Sequence, residues 1–291
     1  MTTGPATQFR RIEATRENGV TRLHLVRPER RNAIDLRLAQ ELLRAALLEP
    51  TATSGCVLLT GAGDHFCVGG DLTSFERADD LPSHLMEVIS YLHAALSRLA
   101  AMPAPLIVAA QGHVAGAGLG LACLADVLLT AEGATYRSAY GTLGLTPDAS
   151  TSHLLPRLVG LRRAQHITLL GHVLSAEEAQ SWGLSSETVP AGLLHKRAVQ
   201  LAEEIAAGPT RAYGQTKRLL RASFARSLAE HLEDESTTLS AAAATADAME
   251  GIAAFSARRS PRFAAADAAR AGAEAPRERP RLSHRHGHTR H

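Results

Sequence analysis

Cysteine is scarce in this chain: there are three in 291 residues, Cys56, Cys67 and Cys123, each in an apolar setting and without paired metal-ligand spacing. That odd count and spacing argue against a disulfide framework and a cysteine-bound metal, and buried free thiols are expected. No apolar run approaches the ~20 residues that cross a bilayer. The polar opening, residues 1–11, lacks the apolar stretch of a secretion signal, so the chain reads as cytoplasmic with no membrane partner. No internal repeat of solenoid length is present. What is there, 45% apolar and 21% charged residues, suffices to bury the core of one large domain or two small ones.

The formal charge of +2 conceals an asymmetry. Residues 258–291 carry nine arginines against three acids, leaving 22 basic and 26 acidic residues in 1–257. A basic tail can signal nucleic acid. This one has no aromatic beyond Phe263 and is rich in Ala and Pro, so a solvated segment is expected and no nucleic-acid partner. Its histidine-rich end is given no role.

Residues 9–15 and 20–26 are β-rich and flank Asn18-Gly19, which tolerate the positive φ of a tight hairpin turn. Asp35 caps a helix reaching about Leu48, followed by a strand at 56–60. A helix over 82–101 leads through Met102-Pro103-Ala104-Pro105 to strands at 106–110 and 126–130, an order that indicates parallel crossovers. From about Ser150 the pattern is helical: 151–159, 162–170, 175–181, 192–207, 209–225 and one long helix over 228–246, punctuated by Gly and Pro.

Two glycine-rich turns carry the chemical signal, Phe66-Cys67-Val68-Gly69-Gly70-Asp71 and Gln111-Gly112-His113-Val114-Ala115-Gly116-Ala117-Gly118-Leu119-Gly120. Each follows a short apolar run. Without bulky side chains, two such turns can aim two backbone N–H groups at one point, the anatomy of an oxyanion hole.

These turns resemble the crotonase superfamily of enoyl-CoA hydratases and isomerases over about residues 10–263. The resemblance extends through Arg27-Pro28-Glu29-Arg30-Arg31-Asn32-Ala33-Ile34, Leu59-Thr60-Gly61, Gly144-Leu145-Thr146-Pro147-Asp148, Leu155-Pro156-Arg157-Leu158-Val159-Gly160, Ala179-Gln180-Ser181-Trp182-Gly183-Leu184, and Phe255 with Arg258-Arg259. It implies an α/β fold: a flexible N-terminus (1–8), a spiral core of ββα turns (9–200), a helical C-terminal trimerisation region (201–263) and a disordered basic tail (264–291). It further implies a homotrimer or a dimer of trimers and an acyl-CoA thioester substrate, with coenzyme A part of that substrate and no separate cofactor or metal.

By motif position the resemblance makes the Gly70 and Ala117 amides the oxyanion donors. Coenzyme A contacts would come from Arg31, the Ala33 backbone, and Gly69, Asp71 and Leu72. Tyr140 would meet the ligand, and Arg258 and Arg259 would reach coenzyme A from the C-terminal region. The two glutamates with which hydratases handle water are absent, for Gly120 and Tyr140 stand at their positions. One acid remains, Asp148, read either as a helix N-cap or as a working aspartate. Two branches lacking the glutamates use an aspartate there: isomerases of aryl- and alkenyl-CoA substrates, and 4-chlorobenzoyl-CoA dehalogenase, where it is a nucleophile.

His93 stands at the spacing of the dehalogenase base, yet Gly70, Leu85 and Leu92 fall where that branch has rings, leaving only Tyr140 aromatic. His93 is equally read as a structural histidine. The favoured expectation is therefore an enoyl-CoA isomerase with Asp148 as its acid/base. The alternatives are an Asp148 nucleophile with a His93 base, a hydratase in name only, or a non-catalytic acyl-CoA binder. The acyl group is not specified by the sequence.

Overall fold

The computed structural model of the chain describes residues 9–48, 51 and 53–263. The expected segments 1–8 and 264–291 lie outside the described residues. Strands β1 (Ile12–Glu17) and β2 (Val20–Leu25) form the hairpin read from Asn18-Gly19, with φ of 51° and 76° at those two residues. Strand β1 starts three residues later than expected. The reason is Glu41 of α1 (Leu36–Leu47), whose buried carboxylate accepts the Arg10 and Arg11 N–H groups at 2.6–3.0 Å. Helix α1 begins as expected, with Asp35 accepting from the Leu38 N–H at 2.8 Å.

The spiral continues through β3 (Cys56–Gly61), α2 (Leu72–Glu76), α3 (Leu81–Ala101), β4 (Leu106–Ala110), β5 (His113–Ala115), α4 (Ala117–Leu124), β6 (Val127–Ala131) and β7 (Thr135–Arg137). Then come α5 (Thr151–Val159), α6 (Leu161–Leu169), β8 (Leu174–Ser175), α7 (Ala176–Ser181), β9 (Glu187–Val189) and α8 (Leu194–Ala206). One sheet runs β1-β2-β3-β4-β6-β9, parallel from β2 onward; the other is β5-β7-β8. Isolated bridges Ile34–Gly70 and Cys67–Val114 extend the smaller ladder back into earlier turns. Each turn of the chain thus adds one rung to both layers.

The central strands β3, β4 and β6 are buried on both faces, which is why they read as continuous apolar runs. Val57, Leu59, Val108 and Ala110 pack toward α1 and α3; Cys56, Leu58, Ile107 and Ala109 pack toward α8 through Ala198, Ala202 and Ala206. Helix α8 therefore belongs to the core and crosses the expected boundary at residue 200. The chain turns at Gly208-Pro209 before α9 (Thr210–Ala222). All three cysteines are buried and free, and burial pushes their thiols up to about 12. No helix among the described residues is long and apolar enough to cross a membrane.

The long helix expected over 228–246 is interrupted, giving α10 (Leu228–Ala243) and α11 (Ala246–Ser256). Thr245 makes the break: its hydroxyl donates back to the Ala242 carbonyl at 2.7 Å and accepts from the Ala248 N–H at 3.2 Å. A single threonine in an alanine-rich run hides this double cap from periodicity.

Lys217 ties α9 to the core. Its buried ammonium donates to Asp126 at 2.7 Å and to the Ala104 carbonyl at 2.9 Å, while Asp126 also accepts the Leu106 N–H and faces Arg221 at 3.3 Å. Burial lowers the Lys217 pKa despite that partner. Lys217→Met keeps the stem but strands Asp126 and the carbonyl. Because Arg221 remains, the loss should fall below the usual range for a broken buried pair, about 2–3 kcal/mol, read as a lower urea midpoint at unchanged slope. An unchanged midpoint would contradict this tether.

Candidate active site

The two glycine turns meet main chain to main chain. A Cβ at Gly69 (φ +93°) would lie 3.0 Å from the Ala115 carbonyl oxygen and 3.2 Å from the Ala117 nitrogen; one at Gly118 would lie 2.1 Å from the Cys67 carbonyl oxygen. Only glycine allows that approach. Ile34 pairs with the 69–71 segment through the Gly69 carbonyl and the Asp71 N–H, so the intervening Gly70 N–H points to the other side. Neither the Gly70 nor the Ala117 N–H has an acceptor among the described residues. Ala117 is the first residue of α4, where the helix adds partial positive charge.

Both residues line one cavity of about 340 Å³ that also contains Asp148. The Tyr140 hydroxyl donates a short hydrogen bond to Asp148 Oδ1, and Oδ2 has no hydrogen-bond partner among the described residues. Burial, then the adjacent carboxylate, drives the Tyr140 pKa far up, so the phenol stays a donor. Asp148 does not cap α5. Ser150, itself left-handed at φ 68°, occupies the cap position without a side-chain bond.

The hydratase positions are filled otherwise. At Gly120 a Cβ would fall 2.0 Å from the Ala149 carbonyl oxygen, so backbone occupies the space a side chain would need. At the second position stands Tyr140, bound to Asp148. His93 does not share the cavity with Asp148: it lines a different cleft, with His153, Arg157 and Arg221, and meets only the peptide after Asp148, its Nε2 accepting the Ala149 N–H at 3.2 Å.

Most of the rest of the cavity wall is apolar, including Leu85, Val88, Ile89 and Leu92, with Ser138, Thr142 and Thr146 adding hydroxyls. Phe75 was missed by the sequence reading. Its ring atom Cζ sits 2.6 Å from where a Gly70 Cβ would be, supplying from α2 the ring absent at position 70. The signal was available: Asp71 caps α2, which brings Phe75 round one turn later over its own N-terminus.

A wider groove opens from the cavity, sharing Val68, Gly70, Leu72 and Ala139 with it. Arg31 and Ala33 line it, joined by Arg30, Arg137 and His113. His113 stacks on His65 at 4.7 Å and gives it a backbone hydrogen bond. Asp71 borders the groove but is committed elsewhere. Arg27 donates to its carboxylate at 2.6 Å, and although burial opposes the charge, Arg27 holds the Asp71 pKa below the usual range. Gly69 serves close packing. Arg258 and Arg259 do not reach the groove: Arg259 forks onto Glu250 at 2.6 and 2.9 Å, and Arg258 is exposed at the end of α11. Among the described residues no cluster could hold a metal ion.

Similarity to known proteins follows the same lines. Over 250 residues the chain is 38% identical to the 1,2-epoxyphenylacetyl-CoA isomerase of Escherichia coli, covering 85% of this chain and 95% of that protein. Over 227 residues it is 32% identical to a 4-chlorobenzoyl coenzyme A dehalogenase of an Arthrobacter species, covering 77% and 82%. The crystal structure of an enoyl-CoA hydratase from Polaromonas sp. JS666 superposes with a TM-score of 0.80 at 29% identity, covering 87% and 99%. Residues 15–266 match the enoyl-CoA hydratase/isomerase family, and the chain belongs to that family, whose crotonase fold it has.

Proposed function

We propose that the protein is an acyl-CoA isomerase that moves a proton, and with it a double bond, along the acyl chain. One observation carries this reading: a lone carboxylate with one oxygen held by Tyr140 and the other free shares an apolar cavity with two unpaired N–H groups. The thioester oxygen accepts from the Gly70 and Ala117 N–H groups. Asp148 Oδ2 takes a proton from the carbon beside or allylic to the carbonyl, and the C–H electron pair flows into an enolate whose charge the two donors stabilise. The same oxygen returns the proton at the other carbon. Water addition would need a second carboxylate, which Gly120 and Tyr140 do not supply.

Coenzyme A lies along the groove, its phosphates near Arg30, Arg31 and Arg137. The acyl group is apolar, with Phe75 and Tyr140 able to face an aromatic ring. Exposed apolar side chains on α10 and α11, Leu228, Leu239, Ile252 and Phe255, suit association of copies.

Asp148→Asn should lower turnover of a β,γ-unsaturated hexenoyl-CoA by about 10²–10⁴-fold with affinity for the ester little changed. Full activity in that variant would reject the acid/base role. Gly120→Glu should lower stability and confer no hydration of crotonyl-CoA, because the Ala149 carbonyl blocks the position; a gain of hydration would overturn this account of the missing glutamate. Light scattering should give the mass of three or six 30.9 kDa chains, and a monomer would refute the trimer.

A further inference from the structure

We infer that His93 is a positioning residue that fixes the aim of Asp148 through the main chain, by accepting the Ala149 N–H at Nε2. The inference rests on the reading of Asp148 as the working acid. The peptide unit joining Asp148 to Ala149 is held at both ends: the Asp148 carbonyl accepts the Thr151 N–H at 2.9 Å, and the Ala149 N–H donates to His93 at 3.2 Å. Holding that plane restrains ψ of Asp148 and so the direction in which its Cα–Cβ bond leaves the backbone, while Tyr140 holds the carboxylate at the end of it.

The segment needs such restraint. Ala149 and Ser150 are consecutive non-glycine residues with φ of 48° and 68°, a conformation that persists only where surroundings enforce it. Ala149 is completely buried, so its N–H would otherwise lack water as well as a protein acceptor. The Ala149 carbonyl presses against Gly120, and the Ser150 hydroxyl donates to the Gly120 carbonyl at 3.4 Å; neither contact satisfies that N–H.

The arrangement also dictates a tautomer. An imidazole nitrogen that accepts carries no proton, so the neutral ring has its hydrogen on Nδ1. This is the only hydrogen bond of His93 among the described residues, and it occupies the lone pair a general base would use. The charged groups sharing its cleft have other duties: Asp126 takes Lys217, Arg221 donates to the Leu124 carbonyl, and Arg157 donates to the His153 carbonyl and stacks on Phe224.

The experiment has two arms. Heteronuclear NMR of the unliganded full chain with isotope-labelled histidine should show His93 neutral with the proton on Nδ1; a proton on Nε2 overturns the inference whatever the reaction proves to be. Kinetics with the β,γ-unsaturated hexenoyl-CoA form the second arm. His93→Gln places an amide oxygen where Nε2 stood and should retain turnover within about threefold, whereas His93→Ala and His93→Asn should lower kcat about 10–100-fold with KM nearly constant. Equal loss in His93→Gln and His93→Ala overturns positioning and restores a proton-transfer role for the ring. An inactive wild-type chain overturns the isomerase reading instead, leaving the NMR arm to decide this one.

Discussion

The site depends on backbone touching backbone. Successive turns of the spiral are pinned where the Cys67 carbonyl comes within reach of Gly118 and where Gly69 lies against Gly116 and Ala117. Any side chain at those points would push the layers apart. Because the strands there pair with Ile34 on one side, the intervening N–H of Gly70 is left to face the cavity, and the start of α4 leaves Ala117 in the same condition. Two unmet donors in a buried place normally cost stability. Their persistence here is intelligible if a ligand oxygen supplies what the fold withholds.

Around that contact the charged framework is structural. Arg27, almost fully buried, bonds to Asp71 and to the Ala33 carbonyl at 2.8 Å and faces Asp35 at 3.3 Å. It thereby joins the end of β2, the cap of α1 and the cap of α2. Buried charges are costly unless paired and hydrogen-bonded, and Asp71 meets both conditions through Arg27 and the Thr73 N–H. An acid that completes a network of this kind is committed to the fold.

Much of this was legible in the sequence because it rests on local rules. Asn18-Gly19, the Asp35 cap, the continuous apolar runs of β3 and β4 and the two glycine turns all express constraints that act within a few residues, and the structure has each of them. What escaped was set by tertiary contact. Glu41 delays β1 by binding the Arg10 and Arg11 amides across some thirty residues. Phe75 fills the space over Gly70 from another element, and the Glu250 carboxylate captures Arg259. The spacing of His93 from Asp148 placed the two near each other but could not tell which face of the 148–150 segment the ring would meet.

The 148–150 segment also governs what position 120 can hold. The left-handed pair at Ala149 and Ser150 turns the Ala149 carbonyl into the volume beside Gly120. The same turn lowers Asp148 into the cavity, where Tyr140, at the other glutamate's position, binds it. One backbone conformation thus fills the space beside Gly120 and presents Asp148 to Tyr140 as the one acid lining the cavity among the described residues. Under the proposed proton transfer one base takes and returns the same proton, and a cavity lined by no second acid among the described residues favours that return. The placing of the Ala149 carbonyl and that of the Asp148 carboxylate are therefore coupled, since moving the carbonyl away to admit a side chain at position 120 would also move the aspartate.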